Sequence, residues 1–392
     1  MQNVGIVAEF NPFHNGHKYL IDSVKQNGSR IVCVMSGNYV QRGDTAVTDK
    51  FSRAEMAVKC GADLVVELPT PWAMSTAQNF AFGAVGILNS LGIIDTIAFG
   101  SECGDISLLK QTADILKSTD FNDKINNEIS SSSKTFAAAR SDIFDRDYPE
   151  FSHILKGAND TLATEYILAA KRVGFGGDIL PIKRIGAAHD SHIDDATVSA
   201  SFIREKIKSG QASVLEKYMP KQAVDVLNNA PISDISRLET AILCKLREVF
   251  ANDTVPNLPD LSEGLENRIK SAVKNATTLE GLYAEIKTKR YTLARIRRIC
   301  LSAFLNIDNS YFGILPPYIR VLAMGKHGEE VIKAASKNAV LPIITKLNGL
   351  NLDDAFTRRC WQCETLATDL YTLSLNKPLG CGEEYYQKII KT

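Results

Sequence analysis

Short runs of β-branched and apolar residues alternate with amphipathic helical segments through the first 205 residues of the chain. The apolar runs lie at residues 4–8, 30–35, 63–68, 95–100 and 178–183. A helix with Leu20, Ile21 and Val24 on one face follows the first run, and helical patterns at residues 49–59 and 76–91 follow the next two. Continuous apolar strands separated by helices are typical of a parallel sheet covered on both faces. The pattern therefore predicts an α/β fold built on a doubly wound parallel sheet.

The strand signal fades after about residue 215, and helical patterns take over. They occupy residues 236–250, 261–274, 279–287, 292–305, 329–336 and 353–371, with Pro256, Pro259, Pro316 and Pro317 in the loops between them. We therefore expect two domains, an α/β domain at residues 1–214 and a C-terminal all-helical domain at residues 215–392.

Composition narrows the classes of function. The 45 Lys and Arg residues balance 45 Asp and Glu residues, so a nucleic-acid surface would require local segregation of charge. No apolar run approaches the roughly 18 residues of a membrane span, and the chain starts without a signal-peptide pattern. Eight cysteines scattered over 392 residues suit reduced thiols, and Cys360 and Cys363 form only an isolated pair. These features predict a cytoplasmic protein with no membrane partner, and no protein partner is evident.

The segment between the first strand and the first helix carries His14 and His17 around Asn15 and Gly16. The first turn of a helix has unpaired backbone N–H groups and the positive end of the helix dipole, so it favours an anion. Gly16 gives a ligand access to the backbone, and the imidazoles add donors for phosphoryl oxygens. The pattern predicts a phosphate site, with surface or capping histidines as the alternative. A zinc site is less favoured, because no Cys, Asp or Glu follows closely at a familiar ligand spacing.

Polar loops follow two further strands, at residues 36–43 and at Gly100-Ser101-Glu102. They are expected to close around a ligand at the carboxyl ends of the strands, although turn chemistry alone also explains such glycines. Asn159 or Asp160 is expected to cap a helix, and Ser130 to Ser133 are expected to form a loop or lid.

A second helix start carries Ser199 and Ser201, with Arg204 about one turn further on. Serine hydroxyls, free N–H groups and a guanidinium together favour phosphate, whereas the simpler alternative is a serine cap with a surface arginine. Two phosphate-ready helix starts in one chain suit a triphosphate.

The C-terminal half contains six cations and no acid between Lys287 and Arg298. On a helix, Leu293, Ile296, Cys300 and Phe304 would form the buried stripe. A solvated face is the common explanation of such a cluster, but unpaired like charges also favour a nucleic-acid backbone. Tyr291 is a further residue that is expected to stack on a base.

The motif Phe13-His14-Asn15-Gly16-His17 resembles the His-x-Gly-His signature of the nucleotidyltransferase superfamily. The longer run from Gly5 to His17 closely resembles the bacterial tRNA(Met) cytidine acetate ligases, and the similarity extends over nearly the whole chain. The resemblance implies an N-terminal ATP-binding catalytic domain and a C-terminal tRNA-binding domain. It also implies an ATP site that comprises Ile6, Val7, Ala8, Glu9, Phe10, Asn11, Pro12, Phe13, His14, Asn15, Gly16, His17, Lys18, Tyr19, Gly100, Asn159 and Arg184. To this site we add the second helix start, with Ser199, Ser201 and Arg204. The tRNA-binding residues would be Lys289, Arg290, Arg295 and Arg298.

The activity implied by this resemblance has two steps: acetate and ATP form acetyl-adenylate, which then acetylates N4 of the wobble cytidine of elongator tRNA(Met). His14 and His17 would donate to the α- and β-phosphates, Mg²⁺ would bridge the phosphates, and Ser199, Ser201 and Arg204 would hold the departing pyrophosphate. His189-Asp190 is a candidate for the general base of the second step.

Two other classes remain open. One is an adenylyltransferase that makes a small dinucleotide-type cofactor, and the other is a non-catalytic RNA-binding protein with a nucleotide site.

Overall fold

A computed structural model describes residues 2–25, 28–131, 136–185, 199–251, 257–262, 264–346 and 349–392. Its strands are β1 Asn3–Ala8, β2 Arg30–Ser36, β3 Tyr39–Val40, β4 Asp44–Thr45, β5 Leu64–Leu68, β6 Thr96–Ser101, β7 Asp178–Lys183, β8 Ile319–Met324, β9 Ile343–Ile344 and β10 Ile390–Lys391. Its α-helices are α1 Asn15–Val24, α2 Lys50–Lys59, α3 Thr70–Ala73, α4 Ala77–Ser90, α5 Ile106–Lys117, α6 Thr119–Ser131, α7 Phe136–Asp147, α8 Pro149–Ser152, α9 Ala158–Val173, α10 Ala200–Lys208, α11 Lys221–Asn229, α12 Glu239–Val249, α13 Leu265–Asn275, α14 Leu279–Ile286, α15 Leu293–Phe304, α16 Gly328–Asn338, α17 Ala355–Thr372 and α18 Glu383–Tyr386.

The central sheet has the strand order β10-β8-β5-β2-β1-β6-β7, with β9 beside β8. Strands β5, β2, β1, β6 and β7 are parallel, which confirms the doubly wound α/β architecture. The chain adds β2 and β5 on one side of β1, then crosses to add β6 and β7 on the other. In sheets of this kind, the reversal leaves a crevice at the carboxyl ends of the strands where ligands bind.

Both faces of the sheet are buried, in separate clusters. Val7, Val32 and Val34 belong to the apolar cluster on one face, whereas Ile6 and Cys33 belong to the cluster on the other. Successive strand residues point to opposite faces, so a continuous apolar run supplies both clusters at once.

The C-terminal half is mainly helical, but it is not all-helical as expected. It adds β8 beside β5 in antiparallel orientation, and β9 and β10 beside β8. The residues after 214 therefore extend the sheet that the N-terminal part begins. The pattern of β8 is interrupted by the charge of Arg320, which is why the strand was not predicted.

A buried ionic cluster holds this added edge to the rest of the sheet. The Lys50 ammonium lies 2.5 Å from a Glu67 oxygen and also contacts Glu384, which in turn pairs with Arg320. Burial, with repulsion from Glu67 as a second cause, raises the pKa of Glu364 in the same cluster to about 8. The cluster contains two basic side chains, Lys50 and Arg320, and three carboxyl groups, of which Glu364 has the raised pKa. Removing one partner of a buried pair typically costs about 3–5 kcal/mol.

Two local expectations are wrong at the residues that the structure describes. Ser130 and Ser131 belong to α6, where the Ser131 hydroxyl donates to the Asn127 carbonyl at 2.7 Å, while Ser132 and Ser133 lie outside the described residues. The cap of α9 is Gly157, with no side-chain cap bond of its own. Among the described residues, no helix is both long and apolar enough to cross a membrane.

Candidate functional site

A cavity of about 750 Å³ lies at the point where the strand order reverses. Val7 and Ala8 at the end of β1, Phe99 and Gly100 at the end of β6, and Lys183 at the end of β7 line its wall. The starts of α1 and α10 line it as well, through His14, Gly16, Ser199 and Ser201 among others. The two predicted phosphate sites therefore face one cavity.

His14 and His17 form a reciprocal cap at the start of α1. The Gly16 N–H donates to His14 Nδ1 at 3.1 Å, and the His14 N–H donates to His17 Nδ1 at 3.3 Å. The two rings stack with their centres 3.8 Å apart. A Cβ at Gly16 would lie 2.9 Å from a His14 ring carbon, so a larger residue there would displace the ring. Capping and ligand binding, which the sequence left as alternatives, are thus compatible at these residues.

This hydrogen bonding fixes which nitrogen of each ring can donate. Because both Nδ1 atoms accept backbone N–H groups, each neutral ring carries its proton on Nε2. Burial lowers the pKa of His14 to about 4, with smaller effects from the charges of Arg184 and Arg204. Burial also holds the pKa of His17 well below its ordinary value. At neutral pH both rings are therefore uncharged Nε2–H donors.

Arg204 connects the two helix starts. It donates to the Asn11 carbonyl at 2.8 Å, and its other terminal nitrogen donates to the Ser201 hydroxyl at 2.9 Å. Ser199 is the N-cap of α10, since its hydroxyl accepts the Phe202 N–H at 3.3 Å. The guanidinium and the serine hydroxyls thus line the same part of the cavity.

Gly100 and Arg184 meet on the opposite wall, at the ends of β6 and β7. The Arg184 side chain lies along Gly100, where an added Cβ would be 3.4 Å from Arg184 Cγ.

Glu102 accepts from the backbone N–H and the amide of Asn159 at 3.1 and 2.6 Å, and from the Asp160 N–H at 2.7 Å. A carboxylate from a distant loop therefore satisfies the free N–H groups at the start of α9, in place of the local cap that the sequence suggested.

The loop at residues 36–43 also reaches the cavity, but as part of a β-hairpin formed by β3 and β4. Its Gln41 N–H donates to Glu9 at 2.8 Å. Arg42, which belongs to the predicted loop, lines the cavity here, and so do Asp44 and Arg297, which sequence reasoning did not place at this site. Burial raises the pKa of both Glu9 and Asp44, although the Gln41 N–H at Glu9, the Lys208 ammonium at Asp44 and nearby arginines oppose the shift.

Most of the predicted ATP residues line this cavity: Val7, Ala8, Glu9, Phe10, Asn11, His14, Asn15, Gly16, His17, Tyr19, Gly100, Asn159, Arg184, Ser199, Ser201 and Arg204. The remaining four lie elsewhere. Ile6, Pro12 and Phe13 are buried in the interior, and Lys18 pairs with Asp22. The proposed general-base pair His189-Asp190 lies outside the described residues.

The basic run continues from an exposed turn into α15. Lys289 and Arg290 are exposed, but Tyr291 is only 7 % exposed and packs in the core, so it is not available to stack on a base. Arg295 donates to the Asp260 carbonyl at 3.0 Å, and Arg298 pairs with the Asp260 carboxylate at 2.7 Å. Asp260, an acid from another segment, therefore neutralises part of the basic run, which itself contains no acidic residue.

The described residues contain no group of three or more His, Cys, Asp or Glu side chains placed to hold a metal ion. Magnesium is commonly bound by one or two carboxylates together with substrate phosphates. Glu9 and Asp44 are carboxyl side chains that line this cavity.

The chain matches the HIGH Nucleotidyl Transferase family over residues 1–383. It is 37% identical over 402 residues to the tRNA(Met) cytidine acetate ligase of Thermoanaerobacter sp. (strain X514), with 99% of each chain covered. It is 36% identical over 419 residues to the enzyme of the same name from Acetivibrio thermocellus, with 100% of each covered.

A solved structure of Thermotoga maritima TmcAL bound with alpha-thio ATP is similar over 100% of both chains, with 28% identity and a TM-score of 0.88. The apo form of that protein gives a TM-score of 0.91, again over 100% of both chains. The resemblance expected from the first loop is thus confirmed over the full length.

Proposed function

We propose that this chain, which belongs to the HIGH nucleotidyltransferase family and within it to the tRNA(Met) cytidine acetate ligases, activates acetate with ATP and acetylates tRNA. The product would be N4-acetylcytidine at the wobble position of elongator tRNA(Met), made in the cytoplasm. The observation that carries the proposal is the single cavity lined by two helix N-termini, two neutral histidines and Arg204.

In the first step, an acetate oxygen attacks the α-phosphorus of ATP in line, and pyrophosphate leaves with the electron pair of the broken P–O bond. Such a reaction needs positioning and charge stabilisation more than covalent help from the protein. The Nε2–H groups of His14 and His17 would donate to the α- and β-phosphates. Ser199, Ser201, Arg204 and the start of α10 would bind the departing pyrophosphate.

In the second step, the cytidine N4 attacks the acetyl carbonyl, a C–N bond forms, and AMP leaves as N4 loses a proton. The amine is a poor nucleophile because its lone pair is delocalised into the ring, which is why a highly activated acyl group is required. Since the base must be unstacked to enter the cavity, an extruded anticodon nucleotide suits the reaction.

Mg²⁺ would supply charge neutralisation on the phosphates. It would be held chiefly by phosphate and water oxygens, with Asp44 and Glu9 as nearby carboxylates.

Lys289, Arg290, Arg295 and Arg298 would contact the tRNA backbone. Support comes from Arg297, which lies on the same helix as Arg295 and Arg298 and lines the cavity, so that the helix with the basic run borders the proposed ATP site.

The test is to incubate the protein with ATP, labelled acetate and unmodified tRNA(Met), digest the RNA and identify the labelled nucleoside. Acetate-dependent exchange of pyrophosphate into ATP, measured without tRNA, tests the first step by itself. We expect exchange and labelled N4-acetylcytidine. A label-free digest with no exchange would contradict the proposal and favour an RNA-binding protein.

A further inference from the structure

A second cavity, of about 900 Å³, lies at the opposite edge of the sheet, beside β8 and β10. Helix α16 and the segment that contains α18 form its walls. Three strand steps separate β8 from β1, so the two cavities are about 15 Å or more apart at the usual spacing of strands. The first cavity therefore does not account for this one.

The floor of the second cavity is apolar and its rim is basic. Phe51, Val321 and Ile344 contribute to the floor, while Lys333 and Lys388 are exposed on the rim. Within the described part of the chain, neither ammonium has a carboxylate oxygen within 4.0 Å, and the same holds for Lys346, which also lines the cavity. By contrast, Glu329 is paired with Lys391, and Glu384 is buried in the ionic cluster. The cavity thus presents uncompensated positive charge in a chain of zero net charge.

Two adjacent tyrosines stand on the same rim. Tyr386 is 74% exposed and Tyr385 is 54% exposed. The Tyr385 hydroxyl accepts the Trp361 indole N–H at 3.2 Å, and the two rings meet edge to face. Tyr386 lies over Gly382, where an added Cβ would approach its ring within 2.8 Å. Both tyrosines therefore keep more than half of their surface exposed.

Exposed aromatic rings near cations are typical of surfaces that bind single-stranded RNA. Bases stack on the rings and phosphates bind the cations, with little dependence on sequence. An acidic protein surface would meet the lysines, but it would leave the flat face of Tyr386 without a comparable contact.

We propose that this second cavity is an RNA contact, in which Tyr386 stacks on an unpaired base and Lys333, Lys346 and Lys388 bind phosphates. This inference rests on the proposed function, in which tRNA is the substrate. The tRNA then touches the protein at two places, the reaction cavity with its basic run and the far edge of the sheet.

The test measures tRNA affinity at several salt concentrations for the Lys333→Ala/Lys388→Ala variant. Each lost phosphate contact makes the negative slope of log affinity against log salt shallower by about 0.7–0.9. For the loss of two lysines we therefore expect the magnitude of the slope to fall by about 1.5. The matched control is Lys110→Ala/Lys117→Ala, which removes two exposed lysines from α5 and should keep the wild-type slope.

Tyr386→Ala should weaken tRNA binding about 5- to 100-fold, whereas Tyr386→Phe, which keeps the ring, should bind as the wild type does. All these variants should retain acetate-dependent pyrophosphate exchange, which needs no RNA. A wild-type protein that neither exchanges pyrophosphate nor binds tRNA would contradict the proposed function itself. If the wild type does both, and the lysine and Tyr386→Ala variants bind tRNA with unchanged affinity and slope, the second contact alone is overturned.

Discussion

The Arg204 guanidinium donates a hydrogen bond of 2.8 Å to the backbone carbonyl of Asn11. This bond joins the loop before α1 to the first turns of α10, which are separated by more than 180 positions in the chain. One side chain therefore links the two helix starts and also contributes a positive charge to the cavity between them.

Replacing Arg204 should impair the first step of the reaction. In Arg204→Ala we expect the acetate-dependent exchange rate to fall about 100-fold or more, because a charge stabiliser and the link between the helices are lost together. Arg204→Lys keeps the positive charge without the forked geometry of the guanidinium, so its exchange rate should lie between those of the wild type and Arg204→Ala. The control is Lys206→Ala on the same helix, where the ammonium contacts Gln211 at 2.8 Å. Equal rates for the Arg204→Ala and control variants would contradict the role of Arg204.

The tautomer of His17 leads to a prediction about two isosteric substitutions. The amide nitrogen of glutamine falls near the position of Nε2, and that of asparagine falls near Nδ1. Because Nε2–H is the donor inferred here, His17→Gln should keep more exchange activity than His17→Asn or His17→Ala. We expect the alanine variant to lose about 100- to 1,000-fold, with tRNA affinity nearly unchanged. A higher rate for asparagine than for glutamine would reverse the assignment of the donor nitrogen.

The lowered pKa of His14 predicts a pH dependence of stability. Its folded pKa is about 4, below the ordinary value of 6.5, so between these values the unfolded chain binds a proton that the folded chain does not. The free energy of unfolding must then decrease as pH falls through this window, by at most about 1.4 kcal/mol per pH unit from this residue. Urea unfolding of the wild type and of His14→Gln at several pH values measures the effect. The free energy of unfolding should depend more steeply on pH for the wild type than for His14→Gln. Parallel plots for the two proteins would show that His14 does not titrate in this way.

Gly43 offers a test of how the β3–β4 hairpin is held against α15. It has a φ of +71°, and an added Cβ would lie 2.6 Å from the backbone nitrogen of Arg298. Gly43→Ala should therefore combine backbone strain with displacement of the hairpin, and should weaken both ATP and tRNA binding. Gly174 is the matched control, since it has a φ of +70° with no atom of the described chain within 4 Å of an added Cβ. Gly174→Ala should cost only the backbone strain, about 1–2 kcal/mol in unfolding experiments, and leave binding intact. Equal ATP and tRNA binding by Gly43→Ala and Gly174→Ala would argue against a coupling between the β3–β4 hairpin and α15.

Features that depend on neighbouring residues were predictable from the sequence. The five parallel strands of residues 1–205 are short apolar runs, and the starts of α1 and α10 carry their own caps in His14 and Ser199. Both kinds of feature are local, because side-chain alternation and helix capping act over a few residues.

Features that depend on distant partners were less predictable from the sequence. Arg320 interrupts the apolar pattern of β8, and its charge is tolerated there because Glu384 comes from a segment more than 60 positions away. Asp260 pairs with Arg298 across a loop, and Glu102 caps α9 from the end of β6. For β8 a signal did exist, since the run lies between Pro317 and Gly325 and is otherwise apolar.

The central claim is that a triphosphate spans the starts of α1 and α10. The most direct measurement is a crystal structure of the protein with a non-hydrolysable ATP analogue. We predict that oxygen atoms of the α- and β-phosphates lie within about 3 Å of the Nε2 atoms of His14 and His17. The terminal phosphate should lie at Ser199, Ser201 and Arg204. A nucleotide bound with its phosphates away from the start of α1 would contradict the account.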